Sequence, residues 1–252
     1  MIRAEFDDRA FQKRLERLKG ALPGVVAKAL NDTTRQARDE LIRELPVAFD
    51  RPTPYTLKRA IFAKFTNAQR LEAEVFIADK ATKAVPPVRY LAPSVYGGPR
   101  HAKALEVQLR TAGLLGSDEW LVPSKFLQLD AYGNPPSGLS KKLLSQLQAS
   151  FDPKARESAK AKRSRNRKQR KQGGGGRYFI GRPGGDRKKL AIYERIETGV
   201  GQVGFGSRVR PVFIVTRAPR YTKRFEVFEI VKRAWNARVR ENVLRRLAER
   251  AA

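Results

Sequence analysis

Apolar positions recur at helical spacing through residues 11–45 and define the chain's first element. Phe11, Leu15, Leu18 and Leu22 make one stripe, and Val26, Leu30, Thr33, Ala37, Leu41 and Leu45 continue it. Residues 20–24, "GALPG", kink this helix or restart it with Pro23 in the first turn. The helical pattern stops at Pro46. In "FDRPTPYTLKRA", Pro52 and Pro54 fix two φ angles and predict a rigid, non-helical connector. The period then shortens. Residues 60–65 ("AIFAKF") and 71–79 ("LEAEVFIAD") read as strands, the second with Leu71, Ala73, Val75 and Ile77 alternating with Glu72 and Glu74. The intervening "TNAQR" suits a hairpin turn.

From residue 80 to about 172 the pattern loosens. "VPPVRYLAPSVYGGPRHAKALE" opens with prolines, glycines and tyrosines before a short helix over 102–111. "GSDEWLVPSKFLQLDAYGNPPSG" is turn-rich, with a tight turn at Tyr132, Gly133 and Asn134. "LSKKLLSQLQASF" predicts a second short helix capped by Ser140. Strand pattern returns in "RYFIG", in residues 189–197 and in residues 211–217. A last helix spans 224–249, with Phe228, Val231, Trp235, Val239, Val243 and Leu247 as its buried stripe. The fold class is α+β: long N- and C-terminal helices packed on an antiparallel sheet, with a loop-rich insertion carrying short helices. Residues 1–83 and 177–252 form the helix–sheet–helix body. Residues 84–176 form the insertion, with a basic arm at 154–171 and a glycine linker at 173–176.

Charge changes this picture most. The 252 residues carry 53 Lys/Arg against 25 Asp/Glu, a net charge of +28. Residues 1–83 hold 17 basic and 12 acidic side chains, and residues 84–252 hold 36 and 13. A field of this sign favours polyanionic partners. The arm concentrates it in "KARESAKAKRSRNRKQRK", as a nucleic-acid patch, a self-repelling linker or an arm that orders on assembly. It contains no aromatic residue, so base stacking is absent and only non-specific phosphate or acidic-surface contact is supported. Candidate DNA or partner contacts are Lys154, Arg156, Lys160, Lys162, Arg163, Arg165, Arg167, Lys168, Arg170 and Lys171, with Arg187, Lys188 and Lys189 beyond the glycines.

No apolar run approaches the roughly 18–20 residues that span a bilayer, so no membrane partner is expected. "MIRAEFDDRAF" lacks the apolar stretch of a secretory signal. Without cysteine, disulfides and thiolate metal sites are excluded, and a reducing compartment is the simpler reading. Catalytic constellations are weak. His101 stands alone in a "GGPRH" loop, a bland position without a partner base. Asp7 and Asp8 suit the first turn of a helix better than a metal. "GVGQVG" at 199–204 matches a dinucleotide-binding fingerprint, but strand rather than helix follows it, so a hairpin loop fits better.

Several phrases resemble tail-completion and minor tail proteins of tailed bacteriophages, including the minor tail protein Z family. They are "ALNDTTRQARDELIREL", "FDRPTPYTLKRAI", "YGGPRHAKALE", "LDAYGNPPSG" and "RPVFIVTRAPRYTKRFEVFEIVKRA". The resemblance implies a structural, non-enzymatic virion protein of the tail or neck, assembled in the host cytoplasm and without a cofactor. Its implied partners are copies of itself in a ring, neighbouring portal or adaptor and tail proteins, and packaged DNA through non-specific charge. Candidate assembly loops are Phe49, Arg51, Pro52, Pro54, Tyr55, Tyr96, Arg100, Tyr132 and Asn134. The rival is a non-specific nucleic-acid-binding protein acting in phage DNA replication or packaging.

Overall fold

The computed structural model describes residues 9–82, 84–183, 185, 190–197 and 207–251. The chain divides into two compact units, residues 1–97 with 222–252 and residues 98–221.

Unit 1 is built on two long helices, α1 (Arg9–Ala48) and α7 (Val227–Ala251). Helix α1 runs through Pro23 as one element and passes Pro46 to end at Ala48. The two helices lie antiparallel, since Glu40 pairs with Arg233 while Asp32 pairs with Arg245 and Arg246. A short helix α2 (Pro54–Arg59), a hairpin of β1 (Ile61–Lys64) and β2 (Glu74–Ile77), and helix α3 (Pro87–Tyr96) complete the unit. Leu41 and Leu45 of α1, Ile61 of β1, Leu91 and Val95 of α3, and Phe225 and Ile230 form its core. The hairpin is pinned to α1 by one side chain. Asn31 donates from Nδ2 to the Thr66 carbonyl (2.9 Å) and accepts from the Thr66 amide (2.8 Å), pairing as a strand would.

Three expectations are corrected here. Pro54 starts α2 instead of forbidding helix, because proline's missing N–H costs nothing at the first helical position; Thr53 caps it, accepting from the Thr56 amide. Prolines 86 and 87 likewise open α3, where a loop was expected. The buried face of α7 is Val227, Ile230, Ala234 and Asn242, while Phe228 is 60% and Trp235 39% exposed. A small residue and an amide set the contact with α1: Asn242 donates to Thr33 Oγ1 and Gln36 Oε1, both at 2.9 Å. Of the expected stripe, Val231 packs on the core and Val239, Val243 and Leu247 are half-buried, so only Phe228 and Trp235 turn outward. Of the α1 stripe, Ala37, Leu41 and Leu45 are buried and Leu22 is exposed; the side chains of Phe11, Leu15 and Leu18 lie outside the described residues.

Unit 2 holds a four-stranded antiparallel sheet in the order β4 (Glu119–Pro123), β7 (Ser207–Arg217), β6 (Ala191–Glu197), β5 (Gly174–Gly181). Helices α4 (Ala104–Thr111) and α5 (Leu139–Gln146) contribute Leu105, Leu109, Leu143 and Leu144 to a core shared with Leu121, Ile192, Phe213 and Val215 of the sheet. Helix α5 is preceded by Gly138 in the left-handed region, so Ser140 falls inside its first turn instead of capping it. The tight turn forms as expected: Asp130 Oδ1 accepts from the amides of Tyr132 and Asn134.

The unit boundary differs from the expected one. The strands after the glycines join residues 98–173, because β4 pairs with β7 along its whole length and both strands supply one core. The chain enters and leaves unit 2 through two short strands, β3 (Gly98–Pro99) and β8 (Arg220–Tyr221), which pair antiparallel.

Candidate assembly and nucleic-acid interface

The basic arm is not an extended linker. Residues 159–172 form helix α6 (Ala159–Gln172), capped by Ser158 Oγ, which accepts from the Ala161 amide. Two side chains seat it. Arg165 forms a two-pronged pair with Glu157 (2.7 and 3.0 Å), and Gln169, which is buried, donates to the Gly175 carbonyl. Lys160, Lys162, Arg163, Arg167, Lys168, Arg170 and Lys171 are exposed. Arg156 donates instead to the Ser150 carbonyl, and Lys154 sits in a 3₁₀ turn over Pro153–Ala155. Arg187, Lys188 and Lys189 lie outside the described residues, as do Asp7, Asp8 and the 199–204 glycine motif.

The glycines are strand, not linker. They open β5 with a register shift between Gly174 and Arg177. A Cβ on residue 175 would meet Glu194 Oε1 at 2.5 Å, and Gly176 adopts φ +102° against Lys142 Nζ. Only glycine lets the Glu194 carboxylate lie flat against this strand. Glu194 is buried and lies in register between Tyr178 of β5 and Arg210 of β7. The Tyr178 hydroxyl donates to it at 3.2 Å, and Arg210 pairs with it at 2.7 Å. Burial, together with the adjacent carboxylate, pushes the Tyr178 phenol up to about 12. A raised phenol stabilises the fold fully below the unfolded value near 10 and loses that contribution as pH climbs toward 12. Alkaline titration by ultraviolet absorbance is expected to show a last phenolate step that Tyr178→Phe removes.

A second buried charge organises the other end of unit 2. Glu106 accepts from Arg100 at 2.8 and 2.5 Å, from the Lys103 amide at 2.7 Å and from the Leu121 amide at 2.8 Å. Arg100 and Arg110 each hold their guanidinium 4.8 Å from the Trp120 ring centroid. Arg100 was read as an assembly-loop residue; its side chain is taken up inside the unit. Phe49 is also structural, edge-on to Phe225 at 5.6 Å. Arg51, in the positive-φ region, pairs with Asp50 at the surface, and Pro52 is half-buried. Pro54, Tyr55, Tyr96, Tyr132 and Asn134 are exposed, the first three in unit 1 and the last two in unit 2.

Sequence reading missed the surface that unit 1 does assemble. Phe228 and Tyr96 touch with centroids 6.1 Å apart, and Tyr96 is 71% exposed. Trp235 lies two turns along the same face of α7. The apolar stripe was the signal, of which Val231 packs on the unit's own core while Phe228 and Trp235 are left exposed. His101 is exposed, and its carbonyl accepts from Arg100. Among the described residues, no group of three or more His, Asp or Glu is placed to hold a metal, and no helix is long and apolar enough to cross a membrane. Compared with family models, curated proteins and solved structures, the chain matches none.

Proposed function

We propose that this chain is a structural virion subunit of a tailed phage, a ring-forming tail-completion or neck protein joining the head side to the tail. The observation that carries the reading is the aromatic row of α7. Phe228 and the adjoining Tyr96 are largely exposed, and Trp235, two turns along the same face, is partly so. Aromatic side chains clustered in this way are the usual anchors of protein interfaces. In a ring, such a row meets a different surface on the next copy, and the contact repeats until it closes. The phrases that resemble those of minor tail proteins support the same role, and a net charge of +28 suits a subunit placed beside packaged DNA. Portal or adaptor and tail proteins are its neighbours in this reading, and no cofactor or catalysis is assigned.

Two measurements test it. Phe228→Gln is expected to change unfolding free energy by about 0.5 kcal/mol or less, as an exposed substitution does, yet to abolish ring formation in sedimentation velocity. Rings that persist would place the interface elsewhere. Particles made without the protein should show unjoined heads and tails by negative-stain imaging; joined, infectious particles would end the proposal. The second reading, a nucleic-acid-binding protein of replication or packaging, is favoured by the exposed cations of α6. It requires that the chain be missing from purified particles, which mass spectrometry of those particles decides.

A further inference from the structure

We infer that the outward face of α6 is a binding surface for the phosphate backbone of duplex DNA, and that it carries most of the chain's contacts with DNA. This deepens the proposed role beside packaged DNA by assigning the contact to one helix.

Helical geometry sorts the cations of α6. Gln169 and Arg165 mark the side seated on unit 2. On the opposite side, Lys160, Arg163, Arg167, Arg170 and Lys171 share one face over about 16 Å of helix, with Lys168 on its flank. They fall three and four residues apart, the spacing at which like charges repel. The helix contains no acidic residue to offset them. Its residues are good helix formers and Ser158 caps them, so what is left unanswered along this face is the like-charge repulsion. Such a local conflict is expected where a ligand resolves it. A row of phosphates does so, releasing condensed counterions as each cation pairs.

The chemistry of the face also selects among polyanions. Interfaces with folded proteins are centred on side chains packed into desolvated pockets, whereas this face offers only solvated Lys and Arg. Single-stranded nucleic acid is held by base stacking on aromatics, which α6 also lacks. A regular cationic rod without stacking groups fits the duplex backbone, and it predicts binding without sequence preference.

The test uses the full chain, a fluorescent duplex of arbitrary sequence, and affinity measured against salt. The triple variant Arg163→Gln, Arg167→Gln, Arg170→Gln should lower the slope of log affinity against log salt by about 3, roughly one per phosphate contact. Near 0.1 M salt that corresponds to a loss on the order of 10²-fold. A control with the same charge loss on exposed sites of unit 1, Lys80→Gln, Arg240→Gln and Arg250→Gln, should leave the slope within about 1 of wild type. Equal losses in both variants would show binding by overall charge and overturn the assignment. An unchanged slope in the α6 variant would overturn it as well, while leaving the assembly role intact. If the wild-type chain fails to bind duplex at low salt, the DNA contact in the proposed function falls too. Tighter binding to a single strand of equal length, or α6-dependent binding to polyglutamate but not to duplex, would replace DNA as the ligand. Thermal melts of both variants should overlay wild type, since none of the six substituted side chains is buried.

Discussion

Glu106→Ala is expected to destabilise unit 2 by about 3–5 kcal/mol. Glu106 is 1% exposed, and its carboxylate answers the partly buried Arg100 guanidinium and the amides of Lys103 and Leu121. Removing it strands a charge and two backbone donors, and each stranded group keeps its desolvation cost. The protein carries its own reporters, because its two tryptophans fall one in each unit: Trp120 in unit 2 and Trp235 in unit 1. In a Trp235→Phe background, urea unfolding followed by fluorescence reads unit 2 alone. A loss below about 1 kcal/mol would mean that Arg100 reaches solvent when its partner is removed. The same site sets an acid limit. Burial works to raise the Glu106 pKa, but the hydrogen bonds from Arg100 and from the Leu121 and Lys103 amides outweigh it and hold the carboxyl below its usual 4.5. A depressed carboxylate stabilises fully above that value and loses its contribution as pH falls through the folded one. The unit 2 midpoint should therefore decline below about pH 4.5 in wild type and decline less in Glu106→Gln.

Phe225→Ala is the matching loss in unit 1, at about 3–5 kcal/mol. Phe225 is 1% exposed and meets Phe49 edge-on, within the cluster that includes Leu45, Leu91 and Val95. It also fixes the chain as it returns from unit 2, since the amides of Arg224 and Phe225 both donate to the Ser94 carbonyl, at 2.9 and 3.0 Å. The cavity left by the ring cannot be filled by the rigid ends of α1 and α3 around it. Trp235 fluorescence in a Trp120→Phe background should report the shift, and an unshifted transition would show that the cluster collapses onto the vacancy.

The α+β class, both long helices and the first hairpin were legible in the sequence because each has a clear period. Helix α3 was not, since Pro86, Pro87 and Pro93 look like breakers until it is seen that two of them stand at a helix start. Strand β4 was hidden by Pro123, which the sheet tolerates because β4 is an edge strand paired only with β7. Helix α6 was hidden by its charge. Its order comes from Glu157 and Gly175, residues outside the segment, and no periodicity within it announces them. The α7 stripe was read as buried throughout, whereas Val231 packs on the core and Phe228 and Trp235 are exposed. Hydrophobic spacing alone does not tell which members of a stripe are covered. The buried carboxylate of Glu194 left no local trace, because Arg210 comes to it only through the sheet, and for Glu106 the local partners Arg100 and Lys103 do not announce the Leu121 amide that β4 brings.

The pairing of β3 with β8 also bears on how such a chain could arise. Gly98 stands opposite Tyr221 and Pro99 opposite Arg220, so the backbone on either side of unit 2 is separated by roughly one interstrand spacing of about 5 Å. Deleting residues 98–221 and bridging Gly97 to Thr222 with a tight turn would leave the helix pair with no gap to stretch across. At the level of the gene, these two positions are natural crossover points, where a whole cassette could be gained, lost or exchanged for another while the host scaffold stays in frame and in shape.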